Sequence, residues 1–213
     1  MGTMELYRRR SPVVFQTPPS KKEIRDGWEV VLEYEDQGNG PFLIDLSHVP
    51  KWDVQDADLP HIRPMDVAIP DRPGDCILEN GILVNRMNAT QAALWHLSEA
   101  HPAIPLEFTY TDVSDAYALM AVLAKDVFSI MEKVTPLDLS TPSKAPPFLL
   151  QGPVLHVRCQ VVLLCEKGGY TAVLIACSRG YAQSMSEAFL EACAEWGLRP
   201  SGETAFRNWL KQG

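Results

Sequence analysis

One stretch constrains this chain more than any other: an apolar strand that leads almost directly into an amphipathic helix. Tyr170 to Cys177 is a nearly unbroken apolar run after the turn-forming pair Gly168-Gly169. Then Ala182, Met185, Phe189, Ala192 and Trp196 recur at spacings of 3, 4, 3 and 4, one face of a helix. Ser178 stands where an N-cap belongs, and Gly197 where a left-handed C-terminal residue belongs. A stripe of this kind is core, not a cofactor box. Upstream, Ala118 to Leu123 is another continuous apolar run. Periodicity alone allows it to merge with the next segment into one helix from Asp115 to Val134. Lys125 to Val134 is helical by its Val127, Ile130, Met131, Val134 spacing, and Pro136 stops it. A Pro-rich loop from Thr141 to Pro147 leads to strands at Val154–Val157 and Val161–Leu164. The order strand, helix, strands, helix and a short tail predicts an α+β lobe of the split βαβ, ferredoxin-like kind, with antiparallel or mixed sheets.

The first half is less regular. Trp28 to Tyr34 alternates as a strand, Gly38-Asn-Gly40 turns, and Phe42 to Leu46 is a second strand. Residues 50–75 carry prolines at 50, 60, 64, 70 and 73, which predicts loop with short extended pieces. Cys76 to Arg86 reads as strand broken at Asn80-Gly81, the favoured two-residue hairpin turn. Asn88 as N-cap with Gln91 at N3 predicts a helix, with Leu94 and Leu97 inward and His101-Pro102 at its end. Pro105 precedes a strand from Phe108 to Val113. The expected division is an extended basic, Pro-containing arm (1–26), a first α+β lobe (27–106) and a second (107–213). No sequence repeat relates the two lobes.

The chain has 213 residues and a net charge of −8, with 46% hydrophobic and 22% charged residues, which fits a globular domain. The arm holds six basic residues against three acidic ones, so the rest of the chain stands at about −11. A chain this acidic is not a general binder of nucleic acid. No apolar run approaches the roughly 20 residues of a membrane helix. Met1 to Arg10 has no apolar stretch after its basic residues, so no secretory signal is expected. The five cysteines include no CxxC pair, and four sit in apolar stretches. They read as buried, reduced thiols of a cytoplasmic protein. The five histidines are irregularly spaced and predict no zinc site.

Several phrases, in order, carry a family resemblance. Gly27-Trp-Glu-Val-Val-Leu-Glu-Tyr34 followed by Asp45-Leu-Ser-His48 resembles the opening of the glycine-cleavage T-protein, the folate-dependent aminomethyltransferase, where a GWE strand precedes FDVSHM. Asp112-Val-Ser-Asp115, then Val134-Thr-Pro-Leu-Asp-Leu139, resembles the core of the sarcosine oxidase gamma-subunit family. Tyr170 to Ala192 is similar to that family's last strand and helix, and Gly197-Leu-Arg-Pro-Ser-Gly202 to the T-protein phrase GLRPAG. The resemblance covers roughly residues 27–50 and 80–210. It implies a T-protein-like folate-domain scaffold, and it resolves residues 115–134 as strand, then helix.

The same resemblance marks what has changed. Asn80-Gly-Ile-Leu-Val-Asn85 corresponds to the family's GGI(L/I)DDL, with Val84 and Asn85 where acids stand. Neutral Asn is no general base. Thr171, after Tyr170, takes the place of the glutamate that grips the pterin, and the arginine after GLRPAG is shifted by one, to Arg207. The candidates for a folate cleft are therefore Asn85, Tyr170, Thr171, Arg199, Glu203 and Arg207, with tetrahydrofolate the candidate ligand. No catalytic residue and no metal ligand is assigned. The gamma-subunit branch fits the missing acids. It implies an accessory or scaffold protein of one-carbon metabolism, partnering itself or a flavin-dependent oxidase-like complex; the alternative is a folate-binding aminomethyl transferase using a cleft between lobes. Read residue by residue, Asp45, His48 and Asp112 are structural hydrogen-bonding residues, and Glu203–Arg207 is an i,i+4 pair on a solvated C-terminal helix. The tryptophans are core, with Trp209 a candidate interface anchor.

Overall fold

The computed structural model describes residues 8–98, 102, 109–140 and 144–212. The chain is α+β and mostly sheet. A hairpin of β1 (Pro19–Arg25) and β2 (Trp28–Tyr34) precedes β3 (Phe42–Asp45) and β4 (Lys51–Gln55). Next come β5 (Cys76–Glu79), β6 (Ile82–Arg86), β7 (Gln91–His96), β8 (Tyr110–Asp112) and β9 (Tyr117–Ala124). After α1 (Val127–Val134) come β10 (Phe148–Val154), β11 (Val157–Leu163), β12 (Thr171–Ser178), α2 (Ala182–Ala192), β13 (Arg199–Ser201) and α3 (Glu203–Leu210).

Two sheets organise the core. One has the order β10-β11-β12-β9-β3-β13, the other β5-β6-β7-β4-β8. Strand alternation sends β9 and β12 side chains to two faces. Met120, Val122, Val173 and Ile175 pack under α1 and α2, while Leu119, Ala121, Ala172 and Leu174 face the five-stranded sheet. That sheet answers with Leu83, Ala93, Trp95 and Leu97. Its outer face packs Trp52, Val84 and Leu94 against Leu59, Val67 and Ile69 of the Pro-rich stretch. The layers are thus helices, sheet, sheet and loop. Each fully buried large side chain contributes about 2 kcal/mol.

Four expectations are corrected. The segment after Asn88 is strand β7, not a helix. It pairs with β6 on one side and β4 on the other and is buried on both faces, so its apolar run shows no period of two. The apparent capping box is a hairpin turn: Asn88 Oδ1 accepts from Thr90 N (2.9 Å) and Met87 N donates to Gln91 O (3.0 Å). The expected strand Val154–Val157 contains a turn, because Leu155 and His156 both take positive φ (46° and 70°) and join β10 to β11. A left-handed pair without glycine gives no sequence signal. Ser178 makes no side-chain cap; a 3-10 turn, Arg179–Tyr181, precedes α2. Finally, the strand that directly follows α1 is β10, antiparallel to β9; the strand parallel to β9 is β11, with β12 between them, so the split pattern read from the sequence carries an inserted strand. Val134 O accepts from Leu155 N, and Thr135 Oγ1 donates to Pro153 O, so the end of α1 is tied to the end of β10. The expected strand start near Pro105 and Phe108, the helix end at His101 and the start of the loop at Thr141 lie outside the described residues.

Other expectations are seen as read: the Asn80-Gly81 turn with φ of 52° and 75°, strand then helix across 117–134, and left-handed Gly197. Asp126, rather than any residue named from sequence, caps α1 through Ser129 N. The N-terminal stretch is extended but strapped to its own body. Val13 and Phe15 are buried, Phe15 meets Tyr34 edge-on, and Gln183 bonds both the N–H and the carbonyl of Val14.

Candidate functional site

The chain passes from one sheet to the other twice, through two Asp-x-Ser turns. Asp45 Oδ1 accepts from Ser47 N (3.0 Å) and Oγ (2.6 Å); Asp112 Oδ1 accepts from Ser114 N (2.8 Å). Each serine also holds the opposite crossover: Leu119 N donates to Ser47 Oγ, and Lys51 N to Ser114 Oγ. The structural reading of Asp45 and Asp112 is therefore seen in the bonds. Between the crossovers lies Lys51, 0% exposed, its Nζ donating to the Ser47 and Val49 carbonyls (2.8 and 2.6 Å). Burial lowers its pKa to about 7, against the opposing pull of Asp45, Asp112 and Asp115; Arg179 adds to the lowering. Nothing in the sequence around Lys51 announces this.

The space between the sheets has two ends. One is closed by α3. Phe206 and Trp209 pack with ring planes tilted by 35° and centroids 5.6 Å apart, and Trp209, 3% exposed, donates Nε1–H to Tyr170 O (3.0 Å). Trp209 is thus core and not a surface anchor. Above it sits Glu203, 1% exposed. Its Oε1 accepts from Arg25 Nη1 (2.8 Å) and from Arg207 Nε and Nη2 (2.8 and 2.6 Å), and lies 2.8 Å from His48 Nε2. Arg207 Nη1 reaches Leu97 O, and Arg25 also pairs with Glu23. Burial alone would raise the Glu203 pKa. The bond and charge of His48, the Arg25 bond and the Arg207 charge outweigh it and hold the carboxyl well below the usual range. The Glu203–Arg207 pair read from sequence is real, but it is buried rather than solvated.

The other end is open and polar. Gln151 of β10 lies opposite Gln160 of β11, Gln160 opposite Ala176, and Ser178 opposite Tyr117. With Met87 and Gln91 from the other sheet they line a cavity of about 510 Å³. Gln151 Nε2 spans the sheets to Met87 O (3.0 Å). Gln160 Oε1 is buried and has no hydrogen-bond partner. Asn85 shares the inward face of β6 with Leu83 and Met87, one rung deeper than Met87. It is 0% exposed, and both its amide atoms lack partners.

The six candidates therefore do not form one cleft. Glu203 and Arg207 meet at the closed end, joined by Arg25 and His48, whose part sequence reading missed. Thr171 is buried at the start of β12. Tyr170 bonds Asn39 O (3.0 Å) under Lys125, 5.5 Å from its ring, in a separate surface depression. Arg199 is exposed on edge strand β13, and Asn85 is walled in at mid-depth. Gln151 and Gln160 were missed too, although a glutamine inside each apolar strand was the available signal. A folate-type ligand does not fit these six positions: the one carboxylate is already held by two guanidinium groups, and Asn85 has no open face. Among the described residues no group of three or more His, Cys, Asp or Glu is placed to hold a metal, and no helix is long and apolar enough to cross a membrane. Four cysteines are buried and Cys165 is exposed, all unpaired.

No protein-family model matches the sequence, and no curated protein matches it by sequence. The fold has solved counterparts. It is similar to a chain of the heterotetrameric sarcosine oxidase from Corynebacterium sp. U-96, in complex with pyrrole 2-carboxylate. The TM-score is 0.58 at 11% identity, over 72% of this chain and 84% of that one. At that identity the likeness is one of fold.

Proposed function

We propose that this chain is a non-catalytic accessory or scaffold protein of the sarcosine oxidase gamma-subunit type, on a T-protein-like folate-domain scaffold. Its partner is a flavin-dependent oxidase-like complex, or further copies of itself, within one-carbon metabolism. One observation carries the reading. Glu203, the carboxylate that the resemblance offers for ligand binding, is 1% exposed, and its Oε1 is already taken up by Arg25 and Arg207 and lies 2.8 Å from His48. The fold likeness to a subunit of a multi-subunit oxidase supports the same reading.

Two measurements test it. Thermal-shift titration with tetrahydrofolate and folinic acid is expected to give no saturable shift. A saturable shift that Glu203→Gln abolishes would replace the reading with a folate-dependent transferase. Light scattering of the chain co-expressed with flavin oxidase subunits from the same genome is expected to give a species above monomer mass. Monomer alone, in every combination, sinks the accessory role.

A further inference from the structure

We infer that the open mouth between the sheets is a binding site for small non-cationic molecules with an amide or lactam edge. The mouth is the end of the inter-sheet space opposite Glu203, so its role is independent of the accessory reading. The first ground is size and shape. About 510 Å³ falls within the range of small-molecule pockets. Ala176, the residue beside Gln160 on β12, is small and stands in the wall of the hollow.

The second ground is hydrogen-bonding chemistry. Buried polar atoms in native proteins nearly always have partners, and an unsatisfied one calls for a specific explanation. Gln160 Oε1 is a buried acceptor without a donor, in the wall of the cavity. A ligand N–H directed at it satisfies the demand. The hydroxyls of Tyr117 and Ser178, on a facing pair of strands in the same wall, can donate to a ligand carbonyl. One N–H and one C=O side by side are what an amide or lactam edge presents.

The third ground is charge. Among the described residues no carboxylate lines the cavity, and its only charged or titratable side chains besides tyrosine and cysteine are His156 and Arg158. Arg158 stands exposed, two residues from Gln160 on the same face of β11. A cationic ligand would meet repulsion and find no counter-charge, so the site selects neutral over positively charged ligands of the same shape.

Benzamide and benzamidinium are such a pair: planar and nearly isosteric, differing in charge and in the carbonyl. The test is a two-dimensional amide NMR titration of the full chain with each probe. Benzamide is expected to perturb the Gln151 and Gln160 side-chain amides and the backbone of β11 and β12, and to bind at least about tenfold more tightly than benzamidine. Gln160→Leu is expected to weaken benzamide about tenfold with its melting transition retained. Gln160→Glu, which puts a carboxylate in the wall, is expected to reverse the preference toward benzamidine. Equal binding of both probes, perturbations centred elsewhere, an unchanged preference in Gln160→Glu, or no perturbation at millimolar benzamide would overturn the inference.

Discussion

The two ends of the inter-sheet space differ in how they treat polarity. At the α3 end a buried carboxylate meets two guanidinium groups, and both bond its Oε1. At the β10–β11 end the described residues place amides and hydroxyls in the wall, with Arg158 exposed at its edge, and the acceptor Gln160 Oε1 is left unpaired. Burying a charge without a partner costs far more than burying a neutral amide. The closed end must therefore be complete, whereas the open end tolerates an unfilled bond. Completeness also explains why α3 sits so close: a Cβ on Gly202 would overlap the Leu32 carbonyl, and Gln37 Oε1 gathers the N–H groups of Tyr34 and Gly202 beside it.

The largest effect should come from breaking the closed end. Glu203→Ala leaves buried Arg207 without a carboxylate and Arg25 with Glu23 alone, and is expected to cost about 3–5 kcal/mol in urea unfolding. Gln151→Ala, at the open end, is expected to cost about 1 kcal/mol or less. Comparable losses for the two variants would erase the distinction. Gly202→Ala is expected to cost about 1–3 kcal/mol, since backbone rather than a flexible side chain must yield. A melting temperature unchanged from wild type would show that α3 docks more loosely than its contacts indicate.

Lys51 sharpens the rule, because it is a buried cation bonded to carbonyls alone. Its folded pKa is about 7 against an ordinary 10.5, so between these values the unfolded chain binds more protons. Stability should therefore rise with pH across that window, by up to about 1.4 kcal/mol per pH unit. Denaturation series at pH 6 and above should show this slope in wild type and its loss in Lys51→Met. Glu203 acts in the opposite range. Its depressed pKa gives stability that is present above about 4.5 and lost as pH falls further, and Glu203→Gln should flatten that acid limb. An acid limb identical in Glu203→Gln would mean another carboxylate carries it.

How much of this was legible in the sequence depends on whether the signal was local. The turn at Asn80-Gly81, the α1 and α2 stripes and the Asp-x-Ser turns are short-range patterns, and they were readable. Strand β7 was not, because burial on both faces removes alternation and Asn88 serves a turn as well as it serves a cap. The i,i+4 pair Glu203–Arg207 was visible, but its burial depends on Arg25 and His48, which are 178 and 155 residues away from Glu203. The open mouth is the same case. Gln151 and Gln160 are neighbours only through register, and their facing sheet arrives from residues 87–91.

The smallest effect separates the ends most finely. Asn85 lies between them, 0% exposed, with Cys76 and Ala93 as its cross-strand neighbours and neither amide atom bonded. If the inter-sheet space is continuous core up to the mouth, an apolar residue at 85 relieves two unpaired atoms and fills the room left by Ala93. Asn85→Leu should then stabilise the chain by about 1 kcal/mol, read as a higher urea midpoint at unchanged slope. A loss of more than about 1 kcal/mol would mean that Asn85 is reached by water or ligand from the open mouth. The polar site would then extend a rung deeper than Gln160, and benzamide should perturb the Asn85 side-chain amide as well.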